Sequence, residues 1–169
     1  MKTIDEIVAE KLMGLVHEIL ARIIIPDFKY GKVGEISKEE IARLKAYGIE
    51  GIIIDVDNTL RKNMKEIPPC NKQWIDSLKG ELKVIILSNG IDGKIEQYFA
   101  DHDIDYIQFG LKPLKRNFLK ACEKMGVSPE HVLMVGDNLF DDIYGGKRNN
   151  MKTALITDQP IFHRPIWKE

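Results

Sequence analysis

Gly51-Ile-Ile-Ile-Asp-Val-Asp-Asn-Thr-Leu60 ends a short apolar run with two carboxylates and a hydroxyl. A run of β-branched residues with a Gly in front reads as a buried strand. In open parallel α/β sheets ligands bind beyond the carboxyl ends of the strands, where Asp55 and Asp57 fall. Side chains alternate along extended backbone, so the two carboxylates point to one side and Val56 to the other. Two acids that close repel each other unless a cation or a shared proton neutralises them. The segment therefore predicts a metal site or a raised pKa.

Working outward, strands and helices alternate. Strands are predicted over 52–55, 83–87, 104–109, 132–135 and 153–157, and helices over 70–79, 93–100, 113–125 and 141–149. This spacing implies crossover connections and a doubly wound parallel sheet covered on both faces, a three-layer α/β domain. Upstream, Ser37-Lys-Glu-Glu40 is a capping box for a helix running to about Tyr47, with Gly48 as its stop. Pro26 to Gly34 reads as an irregular connector anchored by Phe28 and Tyr30. Over 3–23, Ile4, Ile7, Val8, Leu12, Leu15 and Val16 recur at helical spacing, an N-terminal amphipathic helix. Its apolar face suits the domain or a second copy of the chain, as in a homo-oligomer; a mixed rather than basic polar face weakens peripheral membrane contact. The expected division is 1–34 helix and connector, 35–158 the α/β domain, and 159–169 an irregular tail.

Composition excludes several classes. With 169 residues, 44% hydrophobic, 30% charged and a net charge of −1, the chain reads as one globular domain with no global bias towards nucleic acid. Cys70 and Cys122 stand far apart, and the four histidines lack zinc-site spacing. Reduced thiols and the lack of a signal-peptide pattern predict a cytoplasmic protein.

The alternation brings four polar groups to one sheet edge: Asp55 and Asp57, then Ser88-Asn89-Gly90, then Lys112, then Gly136-Asp137-Asn138 with Asp141 and Asp142 one turn on. Each alone is weak; in register with every strand they describe one chemistry. Asp55, Asp137 and either Asp142 or Asp141 make a hard oxygen site for Mg²⁺. Ser88, backbone N–H groups and Lys112 offer donors to phosphoryl oxygens. One of the first two carboxylates is then left to attack phosphorus and the other to handle the proton.

DVDNTL, SNG, the Lys-Pro of LKP and GDNLFDD, in this order, resemble motifs I to IV of the haloacid dehalogenase superfamily. The finer resemblance, over about residues 35 to 157, is to its subfamily IIIA phosphatases of the YqeG type, whose relatives include phosphatidylglycerophosphate phosphatases. It implies an aspartyl-phosphate mechanism: Asp55 as nucleophile, Asp57 as general acid/base, and Ser88 and Lys112 holding the phosphoryl group. Asp55, the backbone carbonyl of Asp57, Asp137 and Asp142 would hold Mg²⁺, with Asn89 and Asn138 as supports or phosphate-side groups. The motif departs from that type at Asp141, where Thr is usual; Asp142 is the matching position and Asp141 suits a helix cap. Receiver domains share the residue types, but there the Lys-Pro comes last.

About thirty residues separate Asp55 from Ser88 and about twenty-four separate Ser88 from Lys112, room for βα units without an inserted cap domain. A capless site is open, so the substrate is large (a lipid such as phosphatidylglycerophosphate, or a macromolecule) or another subunit closes it. A protein or sugar phosphate is the alternative within the enzyme class, and a non-catalytic binding protein the alternative outside it. Arg61, Lys62 and Lys65 follow the first motif and read as solvated charges or as attractors of an anionic substrate.

Overall fold

The computed structural model describes residues 24–157, together with Val8, Leu12 and Leu15, each helical and exposed. The rest of the expected N-terminal helix and the tail 159–169 lie outside the described residues.

Six strands form one sheet: β1 (Phe28–Tyr30), β2 (Gly51–Ile54), β3 (Lys83–Leu87), β4 (Asp105–Ile107), β5 (Val132–Gly136) and β6 (Lys152–Ile156). All neighbours are parallel, in the order β1-β6-β5-β2-β3-β4. The helices are α1 (Lys38–Ala46), α2 (Pro69–Leu78), α3 (Gly93–Asp101), α4 (Lys115–Met125) and the single turn α5 (Gly145–Lys147).

The all-apolar run 51–54 becomes a central strand because both its faces are covered. Ile52 and Ile54 pack with Leu133 and Val135 against Ile41 and Leu44 of α1, Trp74 and Leu78 of α2, and Phe99 of α3. Ile53 turns the other way, to Met134, Ile85 and Phe118 of α4. Phe118 is fully buried and lies under α5, where a Cβ on Gly145 would come within 2.6 Å of its ring. Only a glycine lets that turn close on α4; deleting the ring by Phe118→Ala should cost about 3–5 kcal/mol.

The chain runs from β2 outward through β3 to β4, then returns to place β5 on the other side of β2. Connections diverge between β2 and β5, so the crevice beyond their carboxyl ends is the switch point where α/β sheets bind ligands. Among the described residues, β2–β3 is joined by a flap and α2, and β3–β4 by α3. Neither connection carries an inserted cap domain among the described residues.

Three expectations change. The stretch read as irregular connector contains β1, whose pattern of buried, exposed, buried matches an edge strand paired with β6, Phe28 opposite Ala154. Asp27 fixes its entry: the Thr153 backbone N–H (2.9 Å) and hydroxyl (3.0 Å) both donate to its Oδ2. The capping box is half formed. Ser37 Oγ accepts from the Glu40 N–H (3.3 Å), but the Glu40 carboxylate accepts from the buried Tyr30 hydroxyl (2.7 Å) and ties α1 to β1. Finally, the helix expected over 141–149 is a π-type turn, Leu139–Tyr144, leading into α5. Its cap is Asn138, whose Oδ1 accepts from the N–H groups of Phe140 and Asp141 (both 2.9 Å), so Asp141 is not the cap.

Candidate active site

Asp55 leaves β2 with its backbone N–H donated to Val135 O, so the sheet ladder itself aims it. Its carboxylate is buried and held on both oxygens: Lys112 Nζ donates to Oδ1 (2.5 Å) and Thr59 Oγ1 to Oδ2 (3.1 Å). Lys112 reaches in from the loop after β4 and also donates to Asp142 Oδ1 (2.6 Å). Asn89, after β3, anchors that lysine by accepting from its backbone N–H through Oδ1 (2.8 Å), while its Nδ2 donates to Asp141 Oδ2 (3.3 Å).

Asp142 is fully buried because Gly136 makes room: a Cβ there would sit 2.2 Å from Asp142 Oδ2. The π-type turn delivers Asp142 back over the end of β5, where its Oδ2 accepts from the Asn138 N–H (3.0 Å). Asp55, Asp137 and Asp142 each offer an oxygen within 4.8 Å of the others.

Three carboxylates share one ammonium in this cluster, and their protonation equilibria record it. Burial, then the negative charge of Asp142, pushes Asp55 up to about 7 against the opposing pull of Lys112. Burial and Asp55 push Asp137 up to about 6. Burial also raises Asp142, with Lys112 opposing. Burial alone would depress Lys112, but Asp142 and Asp55 outweigh it and hold its ammonium above the ordinary range. A hard, all-oxygen donor set with uncompensated negative charge fits a divalent cation of the Mg²⁺ class.

Asp57 stands apart from this cluster. Arg61 Nε donates to its Oδ1 (2.8 Å), and Arg61 Nη1 donates to Asp92 Oδ2 (2.6 Å). A Cβ on Gly90 would lie 3.2 Å from Asp57 Oδ2 and 3.5 Å from Ser88 Oγ, so Asp57 and the buried Ser88 converge on the same glycine. Ser88 Oγ accepts from the Gly90 N–H (3.1 Å). The arrangement is a buried anionic cluster of three carboxylates with one lysine, a fourth carboxylate beside it on a guanidinium, and N–H groups of two loops at the same edge.

The description "haloacid dehalogenase-like hydrolase" fits a family model that matches residues 68–150, the stretch from α2 through β5 and the π-type turn. Over those residues the chain is similar to the haloacid dehalogenase-like hydrolases. A Bacillus subtilis protein named "Probable phosphatase YqeG" is 29% identical to this hydrolase over 140 residues, 82% of this chain and 80% of that one. The glyceraldehyde 3-phosphate phosphatase of Pyrococcus furiosus is 30% identical over 111 residues, 60% of this chain and 46% of that one, so the hydrolase spans about half of that relative's length. Among solved structures, a HAD phosphatase from Thermococcus onnurineus shares the fold at a TM-score of 0.55 and 16% identity, covering 70% of this chain and 92% of that one. With these relatives the hydrolase is a phosphoric monoester hydrolase.

Sequence reading missed two parts of the site. Arg61 was expected to be a solvated or substrate-attracting charge, yet it is 4% exposed and joins Asp57 to Asp92. The signal was its place four residues after Asp57, but nothing local points to Asp92, 31 residues on. Thr59 reads in the sequence only as a hydroxyl near the two carboxylates; it bridges Asp55 and, at 3.5 Å, Asp137. The mouth also carries exposed apolar side chains on four separate loops: Met64 after β2, Ile91 after β3, Phe109 and Leu111 after β4, and Phe140 after β5. Phe109 and Leu111 hold positive φ of 51° and 46°, a conformation that costs L-residues energy, so the loop carrying Lys112 is strained. Among the described residues no helix is long and apolar enough to cross a membrane.

Proposed function

We propose that this hydrolase cleaves phosphate monoesters through a covalent aspartyl-phosphate, with Asp55 as nucleophile and Asp57 as general acid and base. The observation that carries the reading is Asp55 itself: a buried carboxylate at the switch point, oriented on both oxygens by Lys112 and Thr59. Attack forms the bond from Asp55 oxygen to phosphorus and breaks the bond from phosphorus to the leaving oxygen, which takes a proton from Asp57. Water then attacks the phosphoryl group, Asp57 accepts its proton, the bond to Asp55 breaks and inorganic phosphate leaves. Lys112 and the hydroxyl of Ser88 supply charge and donors to the phosphoryl oxygens.

Asp55, Asp137, Asp142 and the backbone carbonyl of Asp57 would hold Mg²⁺, which supplies positive charge against the phosphoryl oxygens and the carboxylate cluster. Arg61 acts through Asp57 as a positioning residue, since it fixes one oxygen of that carboxylate and leaves the other towards Ser88 and Gly90. A non-catalytic role is disfavoured by the presence of Asp57 in its place beside the cluster.

For substrate, the reading is a large phosphomonoester, a phospholipid head group such as phosphatidylglycerophosphate being the one the family resemblance implies. A capless edge and the exposed apolar residues on the loops that follow β2, β3, β4 and β5 support it. Hydrolysis of 4-nitrophenyl phosphate with Mg²⁺, with chelator, and by Asp55→Asn tests the chemistry. Metal-dependent turnover lost in the mutant is expected; turnover that survives chelation or the mutation rejects the assignment.

A further inference from the structure

Beside Asp57 lies an open cleft of about 590 Å³, bounded by the flap, α2 and the start of α3. That is within the roughly 300–1,000 Å³ of small-molecule sites. Its inner wall is Arg61 and Asp92, so it begins one guanidinium away from the group assigned to protonate the leaving oxygen.

The charges lining it are unbalanced. Arg61 is spent on Asp57 and Asp92. Lys65 from the flap, Lys72 from α2 and Lys94 from α3 then face Glu66 as the remaining acid. None of these three lysines forms an ion pair among the described residues, whereas Lys45, Lys79 and Lys124 elsewhere on the surface each do. Lys72 lies 4.9 Å above the ring of Tyr98, which holds its ammonium over the cleft. Ile67 and Ile95, both buried, make the floor. Cations from three separate elements converge on an apolar floor, an arrangement that favours an anion with a carbon frame beneath it.

We infer that this cleft is the leaving-group subsite and that it selects phosphate monoesters whose alcohol carries a second anionic group. The inference rests on the assignment of Asp57 as the acid, and it names the substrate class that assignment leaves open. Carboxylate and phosphate are the two sources of such a charge.

The test compares 4-nitrophenyl phosphate, 4-carboxyphenyl phosphate and benzene-1,4-diyl bisphosphate in the full chain and in Lys72→Glu/Lys94→Glu. The double variant should lower kcat/KM for the two probes with an anionic arm by about tenfold more than for the nitro probe, chiefly through KM. The probe that loses more identifies the preferred anion. An equal loss on all three, or no loss, overturns the subsite, and a thermal melt of the variant confirms that it is folded. If the wild type turns over no probe, the phosphohydrolase reading fails separately; calorimetric binding of 4-carboxyphenyl phosphate then decides the cleft. Binding weakened by the double substitution supports it, and binding unaffected by it, or none to the wild type, rejects it.

Discussion

Asp55 and Asp57 stand two residues apart on one side of the chain and answer to different surroundings. Asp55 is buried in a cluster where three carboxylates share the ammonium of Lys112. Asp57 is half-exposed and has a guanidinium largely to itself, tied off at the far end by Asp92. The difference teaches how one short motif would supply the two roles proposed for it. The first carboxylate is fixed and crowded by charge, which suits a nucleophile that waits for a cation and a phosphate; the second is held on one oxygen and open on the other, which suits a group that moves a proton.

The largest expected effect breaks the first half of the comparison. Asp55→Asn should reduce turnover by about four orders of magnitude or more while the fold persists, measured as kcat on 4-nitrophenyl phosphate with a parallel thermal melt. Gly136→Ala attacks the same cluster from behind. Its methyl would fall 2.2 Å from Asp142 Oδ2 and must displace that carboxylate and, through it, Lys112. Activity should fall about a hundredfold, and stability by about 1–3 kcal/mol. A fully active Gly136→Ala enzyme would show that the position of Asp142 is not critical.

Arg61→Met sharpens the second half. If Arg61 positions the acid, the loss should be about ten- to a hundredfold for an alkyl phosphate, whose leaving group needs a proton, and much smaller for 2,4-dinitrophenyl phosphate, whose leaving group does not. A uniform loss on both would make Arg61 structural only.

Much of this contrast was legible in the sequence, for reasons that can be named. The strands over 51–54, 83–87, 132–136 and 152–156 carry mostly apolar runs because the sheet is covered on both faces. Ser88 and Asp137 were legible because each directly follows a strand, and Lys112 because it lies in the loop after one. β1 was not: Phe28-Lys-Tyr30 is three residues long and is a strand only through its register with β6 and the clasp of Asp27 on Thr153. The strand expected over 104–109 shrinks to Asp105–Ile107 because β4 is an edge strand that pairs with β3 alone. Arg61 was misread because burial depends on Asp92 arriving from another loop. The π-type turn was misread because its purpose, returning Asp142 to Gly136, is a long-range constraint that helix periodicity does not encode.

The smallest effect concerns stability. With metal removed by chelator, Asp137 has a folded pKa raised from 3.8 to about 6 by burial and by Asp55. Between those values the folded protein binds more protons than the unfolded chain, so this residue makes stability fall as pH rises through the window. Asp137→Asn removes the penalty. Its Tm should match wild type below pH 3.8, rise above it through the window by a few degrees, and hold that advantage above about pH 6, while phosphatase activity falls. A Tm difference independent of pH would contradict the charge-crowded cluster.

The proposed chemistry turns on a covalent bond to one oxygen of Asp55. Acid quenching during steady turnover of 4-nitrophenyl phosphate, followed by peptide mass spectrometry, reads that bond directly. A phosphoryl group on the peptide containing Asp55, absent from Asp55→Asn and enriched in Asp57→Asn if the second carboxylate activates water, is the predicted result. A phosphoryl group on any other residue, or an Asp55→Asn enzyme that still turns over, would contradict it.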